Sequence, residues 1–338
     1  MSLRTVLIFV LVSFCSCRPA ATDNHELKIK PDSNYPRWIV SKLDSARQTS
    51  GIAFIGQKNN AKHFLLADDI GLIHHLKIEN DTVFTITPVH FSPEFQKYLE
   101  KFPKKDFEEI TYFPKDNSVY LSIEGNNPDP AEFTKIIKLN FFNNDVFSDS
   151  IVSFSQIEFK PYSLFTKYVR NNIAYEGLAV DDHYLYLGLE GFSEKGVFAD
   201  STFIFVVDKS NGSIIKQINT KNLGIGTISG LFSDKNNSLY GIDRNGKKLF
   251  HIELDNSLEV NYFSSTKVTS SIPGYKNLDY VASLESVTID NENNIYLVDD
   301  PWPRFYVPDN STLVKLDQTT IMNFKSFVPI IYRFKLNK

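Results

Sequence analysis

Three glutamates each open a short apolar run: Glu108 in FEEITYF, Glu176 in YEGLAV and Glu285 in LESVTI. Three carboxylates brought together repel one another unless a cation or a basic side chain neutralises them. Calcium, a hard cation, takes several oxygen ligands, carboxylates and carbonyls among them. The expectation is a metal site made of Glu108, Glu176 and Glu285. The structural alternative is that each glutamate accepts from nearby backbone amides or pairs with a Lys or Arg of the next unit. A second acidic set ends the run that follows: Asp68 and Asp69, Glu124, Glu190, Asp243, Asp299 and Asp300. Side chains alternate faces along a strand, so this set cannot all point one way without a bulge. At least half of it reads as strand-end turn residues.

The loop DDPWPRFYVPDN at 299–310 offers Asp300, Trp302 and Arg304 as ligand-binding residues, with Trp302 able to stack on a sugar or another planar group. Variable loops on a rigid frame are where binding usually resides. The structural alternative is a proline-stiffened loop that folds its aromatics inward. His74, His75 and His251 lie in strand-like runs without a partner at ligand spacing and read as structural. GIGTISG at 224–230 leads into a strand rather than a helix, so it reads as a turn and not a phosphate loop. Neither GxSxG nor HExxH occurs.

The elements that must position these acids repeat along the chain. FEEITYFPKDNSVYL, YEGLAVDDHYLYL, ISGLFSDKNNSLYG and LESVTIDNENNIYL share one form, and SGIAFIGQKNNAKHFLLADD is a weaker copy. Each has an apolar strand, a turn rich in Asp and Asn, and a second apolar strand, opened in the four clear copies by an apolar residue and Tyr. Asn and Asp suit such turns because they tolerate left-handed φ and bond their own backbone. The copies start roughly 53 to 68 residues apart. A third strand follows in most: LIHHLKI, TKIIKL, TFIFVVD, KLFHIEL and, in the last copy, TLVKL at 312–316. A fourth follows in several. Four antiparallel strands at a repeating period define an all-β fold, a single β-propeller. Five blades is the direct count; six results if RWIVSKL and IIYRFKLN add strands to another blade. One terminus is expected to close the ring, because a propeller must pair its first and last blades. SPEFQKYLEKF at 92–102 is expected as one inserted helix, with Ser92 as N-cap and Pro93 in the first turn.

The chain has 338 residues, a formal charge of −4, 28 Phe and 16 Tyr. Aromatic and β-branched residues favour strands. No basic block or RNA-binding motif appears, so no nucleic-acid partner is expected. Residues 1–17 read as a lipoprotein-type signal: Arg4, an apolar core from Val6 to Phe14 too short to span a bilayer, then Cys17 as the lipidated residue. A plain secretory peptide cut near Ala20 is the alternative. Cys15 and Cys17 are the only cysteines, which excludes a disulfide framework, a thiol nucleophile and a Cys-based zinc site in the body. Residues 18–36 read as a tether and 37–338 as the propeller.

The acidic-Gly-Leu-Ala start followed by LYLGLEG, together with FEEITYFPKDNSVYLSIEG and LESVTIDNENNIYLVDD, resembles the extracytoplasmic propellers of the SdiA-regulated family and the related phytase-like group, named for an esterase-like activity. The likeness covers about residues 50 to 316. It implies a secreted or membrane-anchored propeller with acids near the central channel that can hold calcium. Ser50 and Ser229 depart from it by standing where other copies carry Glu. The expected function is a cell-envelope binding or scaffold module, monomeric, taking calcium, a small polar ligand or envelope component, or both, at an acidic channel mouth. It touches the membrane only through its lipid anchor. The alternative is a calcium-assisted hydrolase of phosphate esters, esters or lactones, with Glu176 and Glu285 on the metal, Glu190 as base, and Arg304, Arg244 or Arg170 on the substrate.

Overall fold

The turns of the inner hairpins follow from their asparagines. In a computed structural model, which describes residues 25–41, 45–195, 197–278, 280–302 and 306–337, Asn60, Asn117, Asn237 and Asn293 hold φ of 59°, 54°, 62° and 62°. Asn is one of the few non-glycine residues that accept this region readily. The hairpin without such an Asn uses Asp181 instead. Its carboxylate accepts from the backbone N–H of His183 and Tyr184, each at 2.8 Å, and from the Tyr186 hydroxyl at 2.7 Å. The tyrosine that recurs in the sequence thus ties the second strand to its own turn, and Tyr296 does the same with Asp290 at 3.2 Å.

Five sheets result. Blade 1 contains Thr49–Lys58, Ala61–Asp68, Leu72–Glu79 and Val83–Pro88 from inside to outside. Blade 2 contains Phe107–Phe113, Ser118–Ile123, Lys135–Phe141 and Ser150–Gln156, and His90–Phe91 adds a parallel outer strand. Blade 3 contains Tyr175–Val180, Tyr184–Leu189, Phe203–Asp208 and Ile214–Asn219. Blade 4 contains Gly230–Lys235, Ser238–Asp243, Lys248–Leu254 and Val260–Lys267, with His25–Glu26 parallel on its outer edge. Blade 5 contains Leu284–Ile289, Asn294–Asp299 and Ile330–Leu336, completed by Ile29–Pro31 and Arg37–Trp38 from the start of the chain. The protein is a five-bladed β-propeller. The middle strands are buried on both faces between neighbouring blades and read as continuous apolar runs, such as FIFVVD. The outer strand IIKQIN alternates because one of its faces is wet.

Two sequence expectations change. TLVKL is not the third strand of the last blade: Asn310–Leu313 is a short helix capped by Asp309, and Ile330–Leu336 is the strand. The two end segments therefore meet in blade 5 and do not make a sixth blade. From His25 onward, part of the segment read as a tether lies on the outer edges of blades 4 and 5. The inserted helix is Pro93–Leu99, and Ser92 Oγ accepts from the Phe95 N–H at 3.3 Å.

Ring closure rests on bonds between blades 1 and 5. The Ile52 and Phe54 N–H groups donate to Ser286 Oγ and Thr288 Oγ1, each at 3.0 Å. Lys62 meets Asp290 at 2.6 Å. Arg333 holds Asp32 at 2.7 Å, locking the start of the chain to the last strand. The innermost strands pack so closely that a Cβ on Gly230 would lie 2.7 Å from Ser286 Cα, and one on Gly51 would lie 2.7 Å from Ile110 N. Glu109 fills the axis at this level. Its Oε1 accepts from Ser286 Oγ at 2.6 Å and from Ile110 N–H at 3.0 Å. Burial pushes the Glu109 carboxyl well above its ordinary pKa, and the hydrogen bonds it accepts oppose that rise.

Candidate functional site

The backbone explains why acids gather at one end of the ring. In blade 1 Thr49 pairs with Asp68 and Gly51 with Ala67, so Ser50 is an extra residue without a partner. Glu176 and Glu285 stand in the same bulge in blades 3 and 5. In blade 2 the pairs Phe107–Ile123 and Ile110–Leu121 leave Glu108 and Glu109 opposite Ser122 alone. A bulge bends the strand and re-aims its side chains. The opening position is thus Ser50, Glu108, Glu176, Ser229 and Glu285 around the ring.

A second ring lies directly after the second strand of each blade: Asp69, Glu124, Glu190, Arg244 and Asp300. In four blades the N–H of this residue donates to the carbonyl two residues before the opening position: Asp69 to Gln48, Glu124 to Asp106, Glu190 to Ala174 and Asp300 to Ser283, at 2.8 to 3.0 Å. The last strand residues behave differently. Asp68 accepts from Thr49 Oγ1 at 2.6 Å, Asp243 from Thr227 Oγ1 at 2.8 Å, and Asp299 from the Tyr280 hydroxyl at 2.6 Å and Ser283 N–H at 2.7 Å. They are structural ties. The acidic set of the sequence therefore divides into anchors and channel residues.

Arg244 is the single basic residue of the second ring. It reaches into both neighbouring blades, meeting Glu285 at 2.5 Å and Glu176 at 3.5 Å and pairing closely with Glu190. Glu176 and Glu285, expected on a metal, are thus bridged by a guanidinium. Burial raises the Glu176 and Glu190 carboxyls, and the arginine opposes that rise. Arg170, by contrast, donates to the carbonyls of Lys167 and Val169 in its own loop.

On the other side of the mouth, Asp106, Glu108 and Glu124 each place one carboxylate oxygen within 4.8 Å of the others. This acidic triad can hold a metal ion. Among the described residues, Glu124 Oε1 is buried without a hydrogen-bond partner. Burial, then the charge of Asp106, pushes both Glu108 and Glu124 well above the ordinary range. Glu108 is half-buried. Lys104, half exposed, meets Asp106 Oδ1 at 2.6 Å and is the local counter-ion. Asp69 lies beyond it, 4.0 Å from the same ammonium; burial raises its carboxyl to about 7.

Of the residues singled out in the sequence, Glu108, Glu176, Glu190, Glu285 and Asp300 share this mouth. Trp302 follows Asp300 in the next loop. Arg304 and Cys17 lie outside the described residues. Asp106, Lys104, Glu109 and the role of Arg244 were not foreseen. The alternation of Asp106 with Glu108 was the available signal for the triad, since residues two apart share a strand face. His74 meets Asp68 at 3.2 Å, His75 meets the Ser148 carbonyl at 2.8 Å, and His251 meets Ser238 Oγ at 2.9 Å, all structural contacts. No helix among the described residues is long and apolar enough to cross a membrane. A depression of about 760 Å³ lies at the opposite end of the ring, floored by Phe54, Val180 and Ile289 and away from these acids.

No protein-family model matches the chain, and no curated protein matches it. Solved structures similar to it include the PQQ-bound aldose sugar dehydrogenase of Streptomyces coelicolor, at 11% identity and TM-score 0.47, covering 91% of this chain and 98% of that one. The soluble aldose sugar dehydrogenase of Escherichia coli, in its apo-form, is 11% identical with TM-score 0.45, over 90% and 99%. The WD40 β-propeller domain of Doa1 is 8% identical with TM-score 0.41, over 90% and 98%. The class of this protein is defined by its own strand pairing: a five-bladed propeller with an acidic channel mouth.

Proposed function

We propose that the protein is a binding module of the cell envelope that holds calcium at Asp106, Glu108 and Glu124. The carrying observation is the triad of carboxylates at ligand spacing with a buried, unpartnered Glu124 oxygen. The all-oxygen, anionic donor set suits a hard cation, and three carboxylates supply a large part of the six to eight oxygens calcium takes. The ion would displace Lys104 from Asp106 and relieve the repulsion within the triad. The reading accords with the resemblance to the SdiA-regulated and phytase-like propellers. The envelope address rests on the Val6–Phe14 segment and Cys17, with secretion as the alternative, and the protein is taken as a monomer.

The hydrolase alternative asks Glu190 to take a proton from water while it is bonded to Arg244, and asks Arg244 to serve substrate while three carboxylates engage it. The geometry therefore favours the binding module. Calorimetric titration of the chelator-treated protein with calcium tests this: one equivalent binds, and Glu124→Gln weakens binding at least about tenfold, roughly 1.4 kcal/mol. No heat, and no change in Tm on chelation, would sink the reading. Turnover of phosphate esters or lactones that Glu176→Gln abolishes would replace it with the enzyme.

A further inference from the structure

Blades 1 and 4 are built alike at the mouth. Each carries a serine at the opening position, Ser50 and Ser229, and each stands between blades that present carboxylates. Blade 4 carries Arg244 in the second ring, and its guanidinium gathers acids from both neighbours. Blade 1 carries the shorter Asp69 there, beside Asp300 of blade 5. Asp300 is only 8% exposed, and its Oδ1 has no hydrogen-bond partner among the described residues. Asp69 Oδ1 is likewise buried and unpartnered, while its Oδ2 accepts from Gln48 Nε2 at 3.1 Å. Lys104 stands 4.0 Å from Asp69 but bonds to Asp106 at 2.6 Å. Ile70 and Leu72, one and three residues after Asp69, are each 44% exposed, and Trp302, two residues after Asp300, is 38% exposed.

We infer that Asp69 and Asp300 form a second cation site, one that takes an organic ammonium or guanidinium carried on an apolar body. The charged head meets the carboxylates of blades 1 and 5 as the Arg244 guanidinium meets those of blades 3 and 5. The apolar body lies across Ile70 and Leu72, on the Asp69 side of the pair. A metal ion does not use such a rim, whereas an amine with a hydrocarbon or aromatic body does. The site deepens the reading of the mouth as a cation-binding surface but uses a different pair of carboxylates from the calcium triad.

The test is calorimetric titration of the full chain with 4-phenylbutylamine and its neutral counterpart 4-phenylbutanol, in chelator so that the result is independent of calcium. The amine binds, and the alcohol binds at least about tenfold more weakly. Asp300→Asn and the more exposed Asp69→Asn each weaken the amine about tenfold or more, with thermal unfolding confirming that both variants fold. Equal binding of amine and alcohol marks an apolar patch only and overturns the site. Absence of heat with the amine, or wild-type affinity in both variants, overturns it as well.

Discussion

At the scale of single residues, Arg244 is the group on which the mouth depends. It neutralises three largely buried carboxylates, Glu176, Glu190 and Glu285, from the blades on either side. Removing one partner of a buried charge network leaves the others uncompensated, which costs about 3–5 kcal/mol. Arg244→Met is expected to lose that much near neutral pH in urea unfolding. The loss shrinks at pH 5, where the freed carboxylates take protons. A related effect belongs to the metal-free wild type. Asp69 titrates near 7 in the folded protein and near about 3.9 when unfolded, so between these values the native state binds more protons. The stability that Asp69 contributes therefore falls as pH rises from about 4 to 7; raised carboxyls such as Glu108 and Glu124 act in the same direction, and His63, His75 and His251, lowered by burial, oppose it. Thermal melts across this range in chelator should show a falling Tm, and calcium should restore it at the upper end.

At the scale of elements, the bulges do what strand alternation alone cannot: they turn Glu108, Glu176 and Glu285 to the channel while the rest of each strand keeps its apolar register. Close approach of the inner strands fixes where those bulges face. Gly230→Ala would place a Cβ 2.7 Å from Ser286 Cα and 2.8 Å from the Glu285 carbonyl oxygen. Overpacking of this kind costs about 1–3 kcal/mol, visible as a lowered urea midpoint at unchanged slope. The hairpins were legible in the sequence because their signals are local: Asn in the turn, Tyr after it, an apolar run on each side. TLVKL misled for the same reason. It has the composition of a strand, but Asp309 caps a helix start, and the true third strand lies about twenty residues on, past a second helix, Gln318–Lys325.

At the scale of the whole molecule, the ring closes when Ile29–Pro31 and Arg37–Trp38 join Ile330–Leu336 and Arg333 grips Asp32. A propeller left open exposes strand edges and loses the packing of its first blade on its last. A chain starting at residue 39 is expected to melt about 5–10 °C below one starting at His25, measured by circular dichroism. The N-terminal pairing was only half legible. The sequence shows apolar strands at both ends and the need for closure, but no local pattern says that both enter one blade.

The number of repeats, their turns and the presence of carboxylates at three of the five strand starts follow from residues near one another in the chain, where spacing alone carries the information. The partnerships at the mouth do not. Arg244 stands 68 residues from Glu176 and 41 from Glu285 in sequence, and Asp106 joins Glu124 only because blade 2 folds its first hairpin around a bulge. Which carboxylates meet a guanidinium, which can share a metal ion and which stay unpaired is set by packing five blades about one axis. That packing brings together side chains that no local pattern relates.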